Sequence, residues 1–288
     1  MPHISYVNGQ YLNHHEAMVH VEDRGYQFAD GAYEYIAFYN GKLLDGAPHL
    51  KRFERSLQAL QIDSSMCENL LPLIMRELIE QNRRTDGAIY LQVTRGVSKR
   101  DHPFPSLRKP AVVATLWGSK TPSLDVVMRG ANVITHPDNR WERCDIKSIS
   151  LLANILAKQE AALQNAREAW LFKADGTITE GAASNAYIIT SDGVLVTHPA
   201  THAILGGIVR DVVLAHAKKL SIRVEERPFN LHEINSAAEA FLTSTSANVM
   251  PVVKVNTQMI GDGKIGKITQ KLLAAYHDHV FEQTGKRW

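Results

Sequence analysis

Short runs rich in β-branched and aromatic residues open the chain and read as strands: Ile4 to Val7, and Tyr33 to Tyr39. Each ends in an Asn-Gly pair, Asn8-Gly9 and Asn40-Gly41, and Gln10 to Leu12 completes a first hairpin. The pattern then changes period. Leu50, Phe53, Leu57 and Leu60 predict a helix over 50–60 with Pro48 ahead of it, and Leu70, Leu71, Ile74, Leu78 and Ile79 predict a second over 70–81. Ile89 to Thr94 and Ala111 to Trp117 read as strands on either side of a proline-bearing loop, Arg95 to Pro105. The polar stretch from Gly118 reads as a linker. Beyond it come mixed strand and loop, a helix from near Leu151 to Gln164, hairpins at Asp175-Gly176 and Asp192-Gly193, and a helix through Leu220 opened by Gly206-Gly207. A strand at Ala240 to Leu242 and a long helix from Lys267 to Thr284 complete the pattern. The expected fold class is α+β in two domains: a small N-terminal domain 1–117, a linker 118–124 and a larger C-terminal domain 125–288.

Composition narrows the function. The 32 basic and 30 acidic residues are spread along the chain with no basic stripe, which speaks against nucleic-acid binding. Two cysteines, Cys67 and Cys144, make no disulfide framework and suggest a reducing, cytoplasmic home. The start, Met1-Pro2-His3-Ile4, is unlike a secretory signal, and no apolar run approaches the ~20 residues that span a bilayer. The spacing of His15-Glu16 to His20 misses the zinc-helix pattern, and no Gly-x-Ser-x-Gly elbow occurs, so neither a metal centre nor a serine hydrolase is expected.

Lys147 is the first candidate for chemistry, because a lysine among Ile146, Ile149 and Leu151 is costly unless its charge is paired, lost or used covalently. Periodicity alone would also allow a lysine reaching solvent from a helix start. Glu180, in Thr179-Glu180-Gly181, is a carboxylate in a turn of small residues. Such a group either caps backbone N–H groups or faces a specific partner, such as the nitrogen of a pyridine ring. Gly206-Gly207 before a helix, and the hydroxyls of Thr243-Ser244-Thr245 after a strand, both suit an anion. Arg100 and His102, beside Lys99 and Asp101, form either a solvated basic loop or a fork for a carboxylate.

In this order the residues resemble those of the fold-type IV pyridoxal-phosphate enzymes, and within them the D-amino-acid aminotransferases. The likeness runs essentially end to end. It includes Glu22-Asp23-Arg24-Gly25-Tyr26-Gln27-Phe28-Ala29-Asp30-Gly31-Ala32-Tyr33-Glu34, Gln92-Val93-Thr94-Arg95-Gly96 and Cys144-Asp145-Ile146-Lys147-Ser148. It continues through Leu156 to Ala161, Thr179-Glu180-Gly181 and Gly207-Ile208-Val209-Arg210-Asp211.

The resemblance implies that Lys147 links covalently to pyridoxal 5′-phosphate and, once displaced by substrate, shuttles a proton. It further implies that Glu180 pairs with the ring nitrogen and that Leu205 packs on a ring face. Arg52, the amides of Ile208 and Val209, and the Ser244/Thr245 turn would bind the phosphate. Tyr33, Arg100 and His102 would hold the substrate carboxylate. A homodimer is implied too, acting on small amino and keto acids. The chain departs from the family pattern at Val209, where a threonine is common, and at Ala182 and Ala183, where serines often stand.

The implied reaction is transamination of D-amino acids such as D-alanine with 2-oxoglutarate, giving a 2-oxo acid and D-glutamate by a ping-pong mechanism. On the same fold, a branched-chain L-amino-acid aminotransferase, an aminodeoxychorismate lyase or an (R)-amine transaminase are the alternatives. Arg100 and His102 argue against the branched-chain enzymes, which lack that pair. A vitamin-B6-binding protein without turnover is the non-catalytic rival, disfavoured by the presence of Lys147, Glu180 and the carboxylate-binding residues.

Overall fold

A computed structural model describes residues 4–106 and 109–288. The chain divides into two compact units. One runs to Lys120 and includes Ile146–Ser150 and Gln283–Lys286; the other holds Thr121–Asp145, Leu151–Glu282 and Arg287–Trp288. Lys147 therefore belongs with the first unit, although it lies beyond the linker in sequence.

Among the described residues, the first unit is built on a six-stranded sheet. Its order is Gln10–Asn13, Ile4–Val7, Ala111–Trp117, Gly87–Thr94, Gly31–Tyr39 and Lys42–Leu43, with every pair antiparallel. Ile36, Phe38, Ile89, Leu91 and Val93 of the central strands pack with Phe53 and Leu57 of one helix and Leu71, Ile74, Met75 and Leu78 of another. The second helix, Leu71–Asn82, buries a stripe with helical period and leaves the opposite face wet. The first, Gly46–Ala59, starts four residues before the apolar period does. Pro48 falls within its first turn, where the missing N–H costs nothing. A separate short helix, Met66–Asn69, precedes the second.

The second unit carries ten strands among the described residues. The order is Val224–Glu226, Leu195–Thr197, Asn185–Ile189, Glu239–Ser244, Asn248–Val255, Ala131–Pro137, Glu168–Phe172, Thr177–Gly181 and Phe229–Asn230, with Gln258–Met259 pairing Asn248–Val255. Ala131–Pro137 runs parallel to Glu168–Phe172, and the helix Leu152–Leu163 lies between them in the chain. Two alanines, Ala157 and Ala161, let that helix settle against Ile134, Ala169, Leu171 and Ala182. The helices Ile208–Lys219 and Lys267–Thr284 lie where the apolar period places them. The strand Asn248–Val255 was hidden by Pro251, a residue that ordinarily argues against an interior strand. Here the ladder shifts register between Val252 and Lys254, just beyond the proline.

Asn82, at the end of its helix, clasps the first strand: its Oδ1 accepts from the Ile4 amide at 3.0 Å and its Nδ2 donates to the Ile4 carbonyl at 3.0 Å. The side chain thus imitates a neighbouring strand. Asn82→Ala removes both bonds to the half-buried Ile4 and, at roughly 0.5–1.5 kcal/mol for each, should cost about 1–3 kcal/mol. Urea unfolding measures it, and a midpoint equal to that of the parent chain would refute the clasp.

Candidate active site

Lys147 sits outside the helix that follows it, in an irregular segment docked on the strand Gly31–Tyr39. The Tyr33 amide donates to the Lys147 carbonyl at 3.0 Å, and the Ile149 amide donates to the Gly31 carbonyl at 3.1 Å. A Cβ on Gly31 would stand 2.6 Å from the Val93 carbonyl oxygen and 3.1 Å from Ile149 Cδ1, so glycine allows this approach. The Lys147 amide donates to Ser56 Oγ at 3.2 Å, and that hydroxyl donates to the Arg52 carbonyl at 3.1 Å. With its backbone held at these points, the half-buried side chain places Nζ 4.2 Å from the centroid of the Tyr33 ring. Tyr33 in turn stacks on Tyr90 at 5.6 Å.

Next to Tyr33, Glu34 points to the other face of the strand and is fully buried. Arg52 binds it with a fork, Nε to Oε1 at 2.7 Å and Nη2 to Oε2 at 2.8 Å, and His49 Nδ1 lies 2.7 Å from Oε2. Burial alone would raise the Glu34 pKa, but Arg52 and His49 outweigh it and hold the carboxyl far below its usual range. Burial pushes His49 down, against the pull of Glu34. The plane of the Arg52 guanidinium is therefore set by a carboxylate.

Arg100 and His102 lie on an exposed loop. The loop is anchored from behind: Arg24 donates to the carbonyls of Asp101 at 2.6 Å and His102 at 3.2 Å, while Asp30 accepts from both Arg24 and Arg95. Arg100 lies over the Phe28 ring at 4.6 Å, and the His102 ring is 5.6 Å from the same ring. Among the described residues, no hydrogen bond or ring contact joins Arg100 or His102 to Lys147 or Tyr33.

Glu180 is buried near the end of the strand Thr177–Gly181 and accepts three N–H donors. Arg140 Nη1 reaches Oε1 at 2.6 Å, the Leu205 amide reaches Oε1 at 3.1 Å, and Asn185 Nδ2 reaches Oε2 at 3.1 Å. Asn185 also donates to the Leu205 carbonyl at 2.9 Å, which fixes the turn before the next helix. A Cβ on Gly207 would fall 2.0 Å from Asn185 Oδ1, so a side chain there would displace Asn185. Gly207 is the N-cap of Ile208–Lys219 and supplies no capping side chain. The first amides of that helix, Ile208 and Val209, have no intrahelical acceptor and suit an anion. Pairing of Asn185 with Thr243 brings the Ser244 turn alongside. There Ser244 Oγ accepts from the Ala247 amide at 3.1 Å and lies 3.3 Å from Ser246 Oγ, and Thr245 is half-buried.

Burial pushes the Glu180 carboxyl up to about 7, against the opposing pull of Arg140 and the Leu205 amide. Arg140, Asn185, Glu34 and His49 had no role in the sequence reading. In sequence, Asp138-x-Arg140 is a spacing that suits an ion pair, and nothing in it points to Glu180. The structure gathers Lys147, Tyr33 and Arg52 in one unit, and Glu180, Leu205, Ile208, Val209 and the Ser244 turn in the other. Among the described residues, no group of His, Cys, Asp and Glu is arranged to hold a metal ion.

Known proteins share this fold and much of this sequence. Residues 31–255 match the family described as Amino-transferase class IV. The chain is 41% identical over 275 residues to a D-alanine aminotransferase of Staphylococcus haemolyticus, covering 96% of this chain and 97% of that one. It is 40% identical over 279 residues to a D-alanine aminotransferase of Bacillus licheniformis, covering 97% and 98%. A branched-chain amino acid aminotransferase of Escherichia coli superposes with a TM-score of 0.88 at 23% identity, over 100% of this chain and 98% of that one. Another branched-chain amino acid aminotransferase, that of T.th., solved with pyridoxamine 5′-phosphate, superposes with a TM-score of 0.86 at 25% identity, over 100% and 96%. The chain belongs to the class IV aminotransferases, pyridoxal-phosphate-dependent enzymes of fold type IV.

Proposed function

We propose that this aminotransferase acts on D-amino acids such as D-alanine, with 2-oxoglutarate as acceptor and D-glutamate as product, in a ping-pong cycle. The observation that carries the reading is the 41% identity, over 96% of the chain, to a protein named D-alanine aminotransferase. The residues fit the cofactor. An uncapped helix start beside a hydroxyl-bearing turn suits a phosphate, a buried carboxyl near 7 suits a ring nitrogen, and Lys147 offers a half-buried amine.

Bound pyridoxal phosphate supplies an aldehyde for the amino group and a ring that spreads the electrons left at Cα. Lys147 would hold the cofactor covalently and, once displaced by the substrate amine, would move the proton at the substrate Cα. Glu180 would bond to the ring nitrogen, and Leu205 would lie against the ring. Arg52, the Ile208 and Val209 amides, Ser244 and Thr245 are the groups that would hold the phosphate. Val209 contributes its amide alone, since its side chain is buried and apolar. Tyr33, Arg100 and His102 take the substrate carboxylate. Orientation of that carboxylate decides which Cα–H bond stands beside Lys147, and hence the hand of the substrate.

A homodimer accords with the anchored but outward-facing Arg100/His102 loop, and with Leu152, Ile155, Leu156 and Leu163, which are exposed on the helix Leu152–Leu163. A reducing, cytoplasmic home accords with the free, buried cysteines Cys67 and Cys144. Among the described residues, no helix is long and apolar enough to cross a membrane. The second reading, a branched-chain L-amino-acid aminotransferase, draws on the names of the solved structures that share the fold.

Assays offering D-alanine, L-leucine, aminodeoxychorismate and an (R)-primary amine separately should show turnover with D-alanine; activity on L-leucine alone would sink the D-specific reading. Borohydride reduction followed by peptide mapping should mark Lys147, with the mark lost after D-alanine and kept after L-alanine. Gly207→Ala, by displacing Asn185, should weaken cofactor retention on gel filtration, and unchanged retention would count against that role. Glu180 also makes apo-protein stability depend on pH. Its folded pKa of about 7 lies above the usual 4.5, so its contribution is fully present below 4.5 and is lost as pH rises to about 7. Glu180→Gln should flatten that segment of the stability–pH curve in urea unfolding, whereas an unaltered slope would contradict the raised carboxyl.

A further inference from the structure

Arg140 takes no part in the chemistry proposed for Lys147 and Glu180, yet it joins two buried carboxylates. Its Nε and Nη2 hold Asp138 at 2.9 Å each, and its Nη1 donates to Glu180 at 2.6 Å. Nη2 also lies 3.3 Å from the Ala203 carbonyl. Asp138 accepts from the hydroxyl of Thr179, the residue before Glu180, at 2.8 Å, and Lys173 Nζ stands 3.7 Å away. Both arginine and aspartate side chains are almost wholly shielded from water.

We propose that Arg140, oriented by Asp138, is a positioning residue that holds Glu180 as the ionised partner of the cofactor's ring nitrogen and so keeps that nitrogen protonated. This rests on the cofactor roles proposed above. A single proton shared between a carboxyl and a ring nitrogen has two arrangements: carboxylate with protonated nitrogen, or neutral acid with neutral ring. Arg140 touches the carboxylate itself, and a proton on the ring lies beyond that carboxylate. Attraction to the nearer charge exceeds repulsion from the farther one, so the guanidinium favours the ionised pair.

The other neighbours of Glu180 leave this task to Arg140. Asn185 and the Leu205 amide are neutral donors. Asp138 is a like charge that would favour the neutral acid, but its oxygens are taken up by Arg140, Thr179 and Lys173. Burial works against ionisation, and with Arg140 in place it still lifts Glu180 to about 7. Without Arg140, no other cation in hydrogen-bond contact with Glu180 among the described residues offsets it. Asp138 matters because its two oxygens set the plane of the guanidinium and aim Nη1 at Glu180.

The test loads the parent enzyme and its variants with pyridoxal phosphate labelled with 15N at the ring nitrogen and reads the 15N shift near neutral pH. The parent should show a protonated nitrogen. Arg140→Gln should move the signal toward the neutral ring, whereas Asp138→Asn and Arg140→Lys, which keep a cation but loosen its aim, should each move it only part of the way. Arg140→Gln should also weaken cofactor binding to the apo-protein by about tenfold or more, the scale of one lost charge-assisted hydrogen bond. A loaded Arg140→Gln enzyme with the parent shift would overturn the proposal, as would a neutral nitrogen in the parent. Should Arg140→Gln fail to fold, Asp138→Asn decides by the same shift, and no movement there overturns it. A parent enzyme that takes up no cofactor would overturn the functional reading, and this inference with it.

Discussion

A lysine amine at the end of four methylenes is useful only if the backbone beneath it cannot wander, and here that backbone is pinned. The Lys147 carbonyl receives the Tyr33 amide, the Lys147 amide reaches Ser56, and Ile149 closes onto Gly31. These bonds come from a central strand and a core helix, both anchored by buried side chains such as Ile36, Phe53 and Leu57. The segment has no regular structure of its own, so its position derives from elements far away in sequence. Each bond contributes modestly, on the order of 1 kcal/mol. Together they fix where the amine can go, which positional catalysis needs more than it needs stability.

The same economy governs the buried charges. Glu34 has Arg52 and His49; Asp30 has Arg24 and Arg95; Asp138 and Glu180 share Arg140. An unpaired ion at these depths would lose several kcal/mol of hydration, and the pairings offset that without adding much net stability. Their benefit is geometric. A carboxylate that holds two nitrogens of a guanidinium leaves little rotational freedom to the remaining one. Arg52 and Arg140 are thus presented as oriented donors, and a lysine in either place would present a mobile point charge.

The regular elements were legible because they obey simple periods: Leu71–Asn82 and Lys267–Thr284 follow their apolar stripes, and the Asn-Gly and Asp-Gly pairs mark hairpins. Pro251 concealed an interior strand, because a local rule was overridden by its neighbours in the sheet. Lys147 and Glu180 could be picked out by their settings, but their roles came from the order of motifs along the chain. Arg140 and Asn185 could not be found this way. Each has a common residue type in an ordinary loop or strand, and each matters through a partner 40 or 5 residues away that no periodicity connects. Arg100 and His102 were visible as a charged cluster, yet what they face depends on surfaces that sequence spacing does not encode.

Support differs between the candidate groups in a way that matches the role proposed for each. Lys147 and Glu180 are tied to sheet strands, the first through its backbone and the second by lying within one. Groups that share electrons or protons with a cofactor tolerate only small displacements, since such bonds weaken steeply with distance and angle. Arg100 and His102 ride on a loop whose carbonyls are held by Arg24 while their own side chains reach outward over Phe28. A carboxylate carries full charge and accepts bonds from a broad range of directions, so its recognition survives more motion. In the role proposed for it, such a loop would set the preferred substrate without disturbing the lysine or the glutamate. A change confined to the loop therefore leaves the backbone supports of Lys147 and Glu180 as they are.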